Sequence, residues 1–358
     1  MKYIDMHCDT MAEIWYAKLR GENYDIKDAP LMINLEKLKK GDCLCQNFGM
    51  YVNLERPADF RGDTDFEPPT PEYERMDPWY AVNEILKVFR EQMEKHAPVA
   101  DGSSNTVAKD ALSITQVTTG TEIHQHLKDN TMCCLLTVEE GGVCKGSLNN
   151  LRALYAAGVR MMTLTWNFDN ELGHPNKPDR EHYYDFKGRS DNGLTDRGRV
   201  FVDAMQNMGM IVDVSHLSDQ GFYDVAELVK GPFVASHSNA RSVIGCSRNL
   251  TDEMIRVLAE HGGVTGLNFC PSFLDDSGTP KETVDRIVRT AEHLRRVGGI
   301  EVIGIGTDFD GIGGDLELGD ASKMDMLLDG LKKAGFSVDE IEKIFYKNVL
   351  RVYDEVLG

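Results

Sequence analysis

The 358-residue sequence has no apolar run approaching the roughly 18 residues that a membrane-spanning helix needs. Its opening, Met1-Lys2-Tyr3-Ile4-Asp5-Met6-His7, lacks the apolar core of a secretory signal, and charge arrives by Asp5. A cytoplasmic location is the expectation. Basic side chains are scarce, 39 against 58 acidic ones, and the net charge is −19. Such a field repels phosphate backbones and anionic lipid, which argues against nucleic-acid or membrane partners. None of the eight cysteines forms a Cys-x-x-Cys pair. Cys43-x-Cys45 and Cys133-Cys134 sit in apolar runs, as small buried hydrophobes in a reducing compartment would, and not as disulfides or a thiolate metal site. There is no internal repeat, low-complexity tract or linker, so one domain over 1–358 is expected.

What the sequence does contain is a rhythm. Eight short β-rich runs alternate with longer helical stretches: Tyr3–His7, Gln46–Tyr51, Met132–Val138, Met161–Thr165, Ile211–Val214, Phe233–Ser236, Gly263–Asn268 and Val302–Thr307. Several are almost wholly apolar, as parallel strands covered on both faces must be. Helix signals lie between them. Thr279-Pro280-Lys281-Glu282 and Ser337-Val338-Asp339-Glu340 each offer a capping box. Helical patterns over Leu148–Ala157 and Arg197–Met208 run into Gly158 and Gly209. Eight such units predict an α/β fold, a closed (β/α)8 TIM-like barrel, ahead of an open doubly wound sheet. Proline-rich Arg56–Pro78 reads as a surface excursion leading into a helical run, Trp79–His96. Polar Asn167–Asn192 would hang over the barrel mouth. Surface insertions are thus expected near 52–110 and 167–192.

The residues able to bind metal lie where those runs end. His7 and Asp9 follow the first, Glu140 the third, His216 the fifth, His237 the sixth and Asp308 the eighth. In a parallel barrel these ends share one mouth, so distant segments converge there. His7 and Asp9, two apart on an extended segment, face the same way and could grip one ion. Asp5 shares their parity and is assigned a structural role. Of Glu139 and Glu140, only one is expected to point into the mouth. Glu139 is read as a solvated loop acid and Glu140 as a carboxylate able to bridge two cations. Of Asp308 and Asp310, one could serve chemistry while the other caps a turn with Gly311. The planar fork of Arg248 would suit a substrate carboxylate.

Taken in order, these motifs resemble the renal or membrane dipeptidase family of the amidohydrolase superfamily. They are Asp5-Met6-His7-Cys8-Asp9, Val138-Glu139-Glu140-Gly141-Gly142, Met162-Thr163-Leu164-Thr165-Trp166-Asn167, Asp213-Val214-Ser215-His216, Ser236-His237-Ser238-Asn239-Ala240-Arg241, Ser247-Arg248-Asn249 and Gly306-Thr307-Asp308-Phe309-Asp310-Gly311. The resemblance implies a zinc dipeptidase of broad specificity, tolerant of a C-terminal D-residue and often homodimeric. It implies that His7 and Asp9 hold one Zn²⁺, that His216 and His237 hold the other, and that Glu140 bridges them. Other divalent metals are compatible. A hydroxide between the ions would attack, Asp308 would be the acid/base, and Arg248 would receive the dipeptide carboxylate. Animal members carry a histidine at the place of Trp166. The Leu-Thr-Trp-Asn form looks bacterial, passing oxyanion support to another group, with Trp166 and Asn167 as candidate substrate contacts. Two other readings stand beside this one. The same mouth could act on a lactone, cyclic amide or phosphotriester, and a metal-binding barrel without catalysis is the third.

Overall fold

Every strand pairing in the computed structural model is parallel, and helices separate most strands in sequence. The structure describes residues 1–53, 76–98, 112–176, 192–275, 282–314 and 316–358. In chain order the described elements are β1 (Tyr3–Asp5), α1 (Thr10–Leu19), α2 (Leu35–Lys40), β2 (Cys43–Tyr51), α3 (Pro78–Lys95), β3 (Thr115–Val117), α4 (Gly120–Asp129), β4 (Cys133–Glu139), α5 (Leu148–Ala156) and β5 (Val159–Thr163). There follow α6 (Asp196–Met208), β6 (Ile211–Asp213), α7 (Asp219–Leu228), β7 (Val234–Ala235), α8 (Asp252–Glu260), β8 (Val264–Leu267), α9 (Thr283–Gly298), β9 (Ile303–Ile305), α10 (Met324–Lys333), α11 (Val338–Glu342) and α12 (Asn348–Leu357).

The sheet runs β2-β1-β9-β8-β7-β6-β5-β4, and β4 pairs back onto β2 from Cys45↔Cys133 to Tyr51↔Glu139. That pairing closes an eight-stranded ring, the barrel expected from the alternating runs. A ninth strand, β3, was not foreseen. It pairs with Cys133–Leu135 at the start of β4, while β5 pairs with Leu136–Glu139 at the end. One edge of β4 is therefore shared by two partners. The excursion Arg56–Pro78 up to residue 75 and most of the polar insertion after β5 lie outside the described residues.

Two apolar layers hold the ring. The larger lies between ring and helices and includes Phe48, Phe89, Leu136, Val138, Met162 and Val212. The smaller joins Ile4, Leu44, Leu135, Met161, Ile211, Val234 and Val264, from strands all round the ring, to Val349, Val352 and Tyr353 of α12. These strand positions lie toward the N-terminal ends, so α12 packs against the floor and the polar chemistry is left to the opposite mouth. Each such side chain contributes about 2 kcal/mol of burial. The Ser337 capping box forms as expected. The other does not form as read: α9 begins at Thr283, with Glu282 immediately before it and Thr279–Lys281 outside the described residues. There Glu317 accepts from Val284 N and donates its own N–H to Thr283 Oγ1, so a distant segment caps the helix start. Among the described residues, no helix is long and apolar enough to cross a membrane.

Candidate metal centre

At the mouth, backbone strain and buried charge coincide. Seven non-glycine residues among those described have positive φ, and four of them, Glu140, His216, Asp308 and Asp310, follow strands at this rim. Such conformations cost of order 1–3 kcal/mol each and persist where the surroundings enforce them.

His7, Asp9, Glu139, His216, His237 and Asp308 are all buried and meet in one cluster. Glu139 lies at its centre. Its Oε1 is 3.0 Å from His216 Nε2 and 3.5 Å from His237 Nε2, and its Oε2 is 3.5 Å from His7 Nε2. His7 Nε2 also lies 3.5 Å from Asp9 Oδ2 and 3.8 Å from Asp308 Oδ1. The rings of His7 and His237 stack with centroids 4.1 Å apart.

The expectation for the glutamate pair is corrected by this geometry. Glu139, not Glu140, enters the cluster. Side chains alternate along β4: Cys134, Leu136 and Val138 join the layer beneath the helices, whereas Cys133 and Leu135 join the inner layer. Glu139 is in phase with the inner set. Glu140 turns away at φ 86°, and its carboxylate accepts from Gly142 N, Trp166 N and Asn170 Nδ2.

The hydrogen bonds behind the imidazoles fix their tautomers. Asn167 Oδ1, an acceptor only, lies 2.8 Å from His216 Nδ1, so that nitrogen carries the proton. Ser236 Oγ gives its hydrogen to Asp213 Oδ2 and therefore accepts from His237 Nδ1 at 2.7 Å. Burial holds both rings well below the usual imidazole range, so they are neutral near pH 7. Each Nε2 is then a bare lone pair. The two sit 2.9 Å apart, facing one another and Glu139 Oε1. A cation held between them, or a proton on Glu139, relieves that repulsion.

His7 tells the same story from the other side. Burial by itself disfavours its imidazolium, but Glu139 and Asp9 outweigh burial and hold it well above the usual range. Its Nε2 and Asp9 Oδ1 are buried without a hydrogen-bond partner. Desolvation raises Glu139, and raises Asp308 to about 6. The donor set, imidazole and carboxylate, suits Zn²⁺ and other divalent ions. Tetrahedral zinc with ~2.0–2.1 Å bonds would space its ligand atoms about 3.3 Å apart, and the separations here are close to that. The residues fit a metal centre.

The two aspartates after β9 take different partners, and Asp310 does not cap a turn with Gly311. Asp310 accepts from Met32 N, Ile33 N and Thr10 Oγ1 and so ties two loops together. Asp308 stays with the cluster. Asn268 Nδ2 donates to its Oδ2 at 2.9 Å, leaving Oδ1 toward His7. A Cβ on Gly311 would stand 2.1 Å from Asp9 Oδ2, so glycine is needed for the approach of Asp9. Asp5 is structural: it accepts from His7 N, Thr307 N, Thr307 Oγ1 and Gln46 Nε2. Arg248 is 2% exposed. It donates to Ser238 Oγ and His237 O, its Nε has no partner, and no carboxylate pairs with it among the described residues. Trp166 packs against Tyr51 and Phe168, with its ring 6.0 Å from His216. Asn167 accepts from His216 Nδ1 and so orients that ring.

The sequence profile of the membrane dipeptidase family, peptidase family M19, matches residues 1–357. The chain belongs to that family. Its enzyme class follows from the membership: a metal-dependent hydrolase, a dipeptidase. An uncharacterized protein in the pqqA 5′ region of Klebsiella pneumoniae is 33% identical over 66% of this chain and 86% of that protein. Dipeptidase 3 of Rattus norvegicus is 32% identical over 63% of this chain but only 45% of the rat protein. In fold, the chain is similar to a metallopeptidase from Rhodobacter sphaeroides crystallised with a phosphinate mimic of the dipeptide L-Ala-D-Ala. That structure matches with TM-score 0.81 and 23% identity over 100% of this chain and 99% of the other.

Several members of the dipeptidase site escaped the motif reading. Glu139 was legible in principle from the parity of Leu135 and Thr137. Asn268, Asp213 and Ser236 act behind the cluster, and no short motif distinguishes such residues from ordinary strand-end hydrogen-bonders.

Proposed function

We propose that this mouth holds two divalent cations, Zn²⁺ in the first instance, and cleaves the peptide bond of dipeptides. His7 and Asp9 would hold one cation, His216 and His237 the other, and Glu139 would lie between them. The observation that carries this reading is the convergence of the Nε2 atoms of His216 and His237 on one carboxylate oxygen of Glu139. When bound, the cations supply Lewis acidity, lowering the pKa of a water and polarising the scissile carbonyl.

The chain's own groups would do the rest. Arg248, buried without a carboxylate partner, receives the free carboxylate of the substrate. A longer peptide would bury its next residue against that guanidinium, so length selection follows from shape and charge together. Asp308 takes a proton at Oδ1 from the attacking water and returns it to the leaving amine, while Asn268 keeps Oδ2 occupied. Trp166, between Tyr51 and Phe168, forms an apolar wall of the mouth. A cytoplasmic site of action is supported by the eight cysteines, all of which are free.

Replacing Asp308 with Asn tests the reaction. The variant is expected to keep its metal content and to lose about 10²–10⁴ in kcat. An unchanged kcat would remove Asp308 from the acid/base role. A panel of L-Ala-L-Ala, L-Ala-D-Ala, a tripeptide and a lactone should show turnover of dipeptides alone.

A further inference from the structure

Glu140 lies beside the metal centre without entering it and is fully buried. Its Oε1 accepts from Gly142 N at 2.7 Å and from Asn170 Nδ2, and its Oε2 accepts from Trp166 N at 2.9 Å. Asn170 is itself fixed, donating to Leu164 O at 2.9 Å and accepting from Leu172 N at 2.7 Å. Both ends of the segment from Trp166 to Asn170 are therefore clamped to one carboxylate. Asn167 sits inside that clamp, and its Oδ1 is the acceptor that fixes the His216 tautomer. No comparable link runs from Glu140 to His7 or Asp9 among the bonds described.

We propose that Glu140 is a positioning residue that aims His216 by clamping the Trp166–Asn170 segment, so that it governs the His216–His237 cation and not the His7–Asp9 cation. The strained backbone at Glu140, φ 86°, is the turn that sends Glu139 into the centre and Glu140 to its support. A glutamine cannot replace it, because its amide would set an N–H₂ group against either Trp166 N–H or the pair from Gly142 and Asn170.

This rests on the two-cation reading, and the test separates them. Zn²⁺ binding is measured by competition with a chromophoric chelator on the wild-type protein, Glu140→Gln and Asn167→Ala, with circular dichroism to confirm folding. Wild type is expected to bind two ions. Glu140→Gln and Asn167→Ala should each leave one site unchanged and weaken the other by about 10–100-fold. The double variant should be no weaker than Glu140→Gln alone, because both act along one path. Equal weakening of both sites, or no weakening, in folded Glu140→Gln overturns the proposal. If Glu140→Gln does not fold, Asn167→Ala decides, since it leaves every Glu140 bond intact; unchanged binding there overturns it. A wild-type protein that binds fewer than two ions overturns the two-cation reading and this proposal with it.

Discussion

At the residue scale, function turns on which atoms lack hydrogen. His216 and His237 donate from Nδ1 to neutral partners, so both Nε2 atoms face Glu139 as acceptors. Glu139 touches all three imidazoles, whereas in the proposed reading each histidine serves one cation. Glu139→Gln should therefore release both cations, and His216→Ala only one, as metal counted per chain after dialysis will show. Arg248 makes a separate prediction. Arg248→Met should lower kcat/KM for a free dipeptide by about 10²-fold, close to 3 kcal/mol for leaving the substrate carboxylate unpaired. A C-terminally amidated dipeptide should be cleaved equally poorly by both proteins. If the variant loses as much on the amide as on the acid, the guanidinium does not read the carboxylate.

At the scale of elements, short strands place these atoms. β7 has only two residues, yet it carries Ser236 and His237 past its end. Its neighbour β8 approaches closely at this point. A Cβ on Gly266 would meet Ser236 O at 1.9 Å, a backbone atom unable to swing aside. Gly266→Ala should destabilise the protein by about 3 kcal/mol in denaturant titration and displace His237. Much of this level was legible in advance. Apolar runs separated by helix signals gave the ring, and strand ends gave His7, Asp9, His216, His237 and Asp308. β3 escaped because Thr115-Gln116-Val117 is short and half polar, held by pairing with β4 and not by its own pattern. The choice between Glu139 and Glu140 failed for another reason. Glu139 was read as a loop acid, whereas it is the last residue of β4 and the phase of that strand turns it inward. The roles of Asn268 and Ser236 were not legible because they depend on tertiary neighbours.

At the scale of the whole molecule, the barrel gathers several buried acids in and around the metal centre. Burial raises Glu139, raises Glu140 and Glu13 to about 7, and raises Asp308 and Asp310 to about 6. His7 is also held high. Above about pH 6.5 the unfolded chain has released these protons while the folded, metal-free chain still binds several. Stability must then fall as pH rises. His216 and His237, whose folded values are depressed, act in the opposite sense only below that pH. Chelated protein is thus expected to lose Tm between about pH 6.5 and 8, and protein with bound Zn²⁺ to lose much less over the same interval. A chelated protein whose Tm holds steady or rises would mean that the acids are not strained by their burial.

The most direct measurement is L-Ala-L-Ala hydrolysis by chelated protein as counted equivalents of Zn²⁺ are returned. Activity should be negligible at the start and complete at two equivalents per chain. Full turnover before any metal is added, or a plateau without activity after two equivalents, would contradict the account.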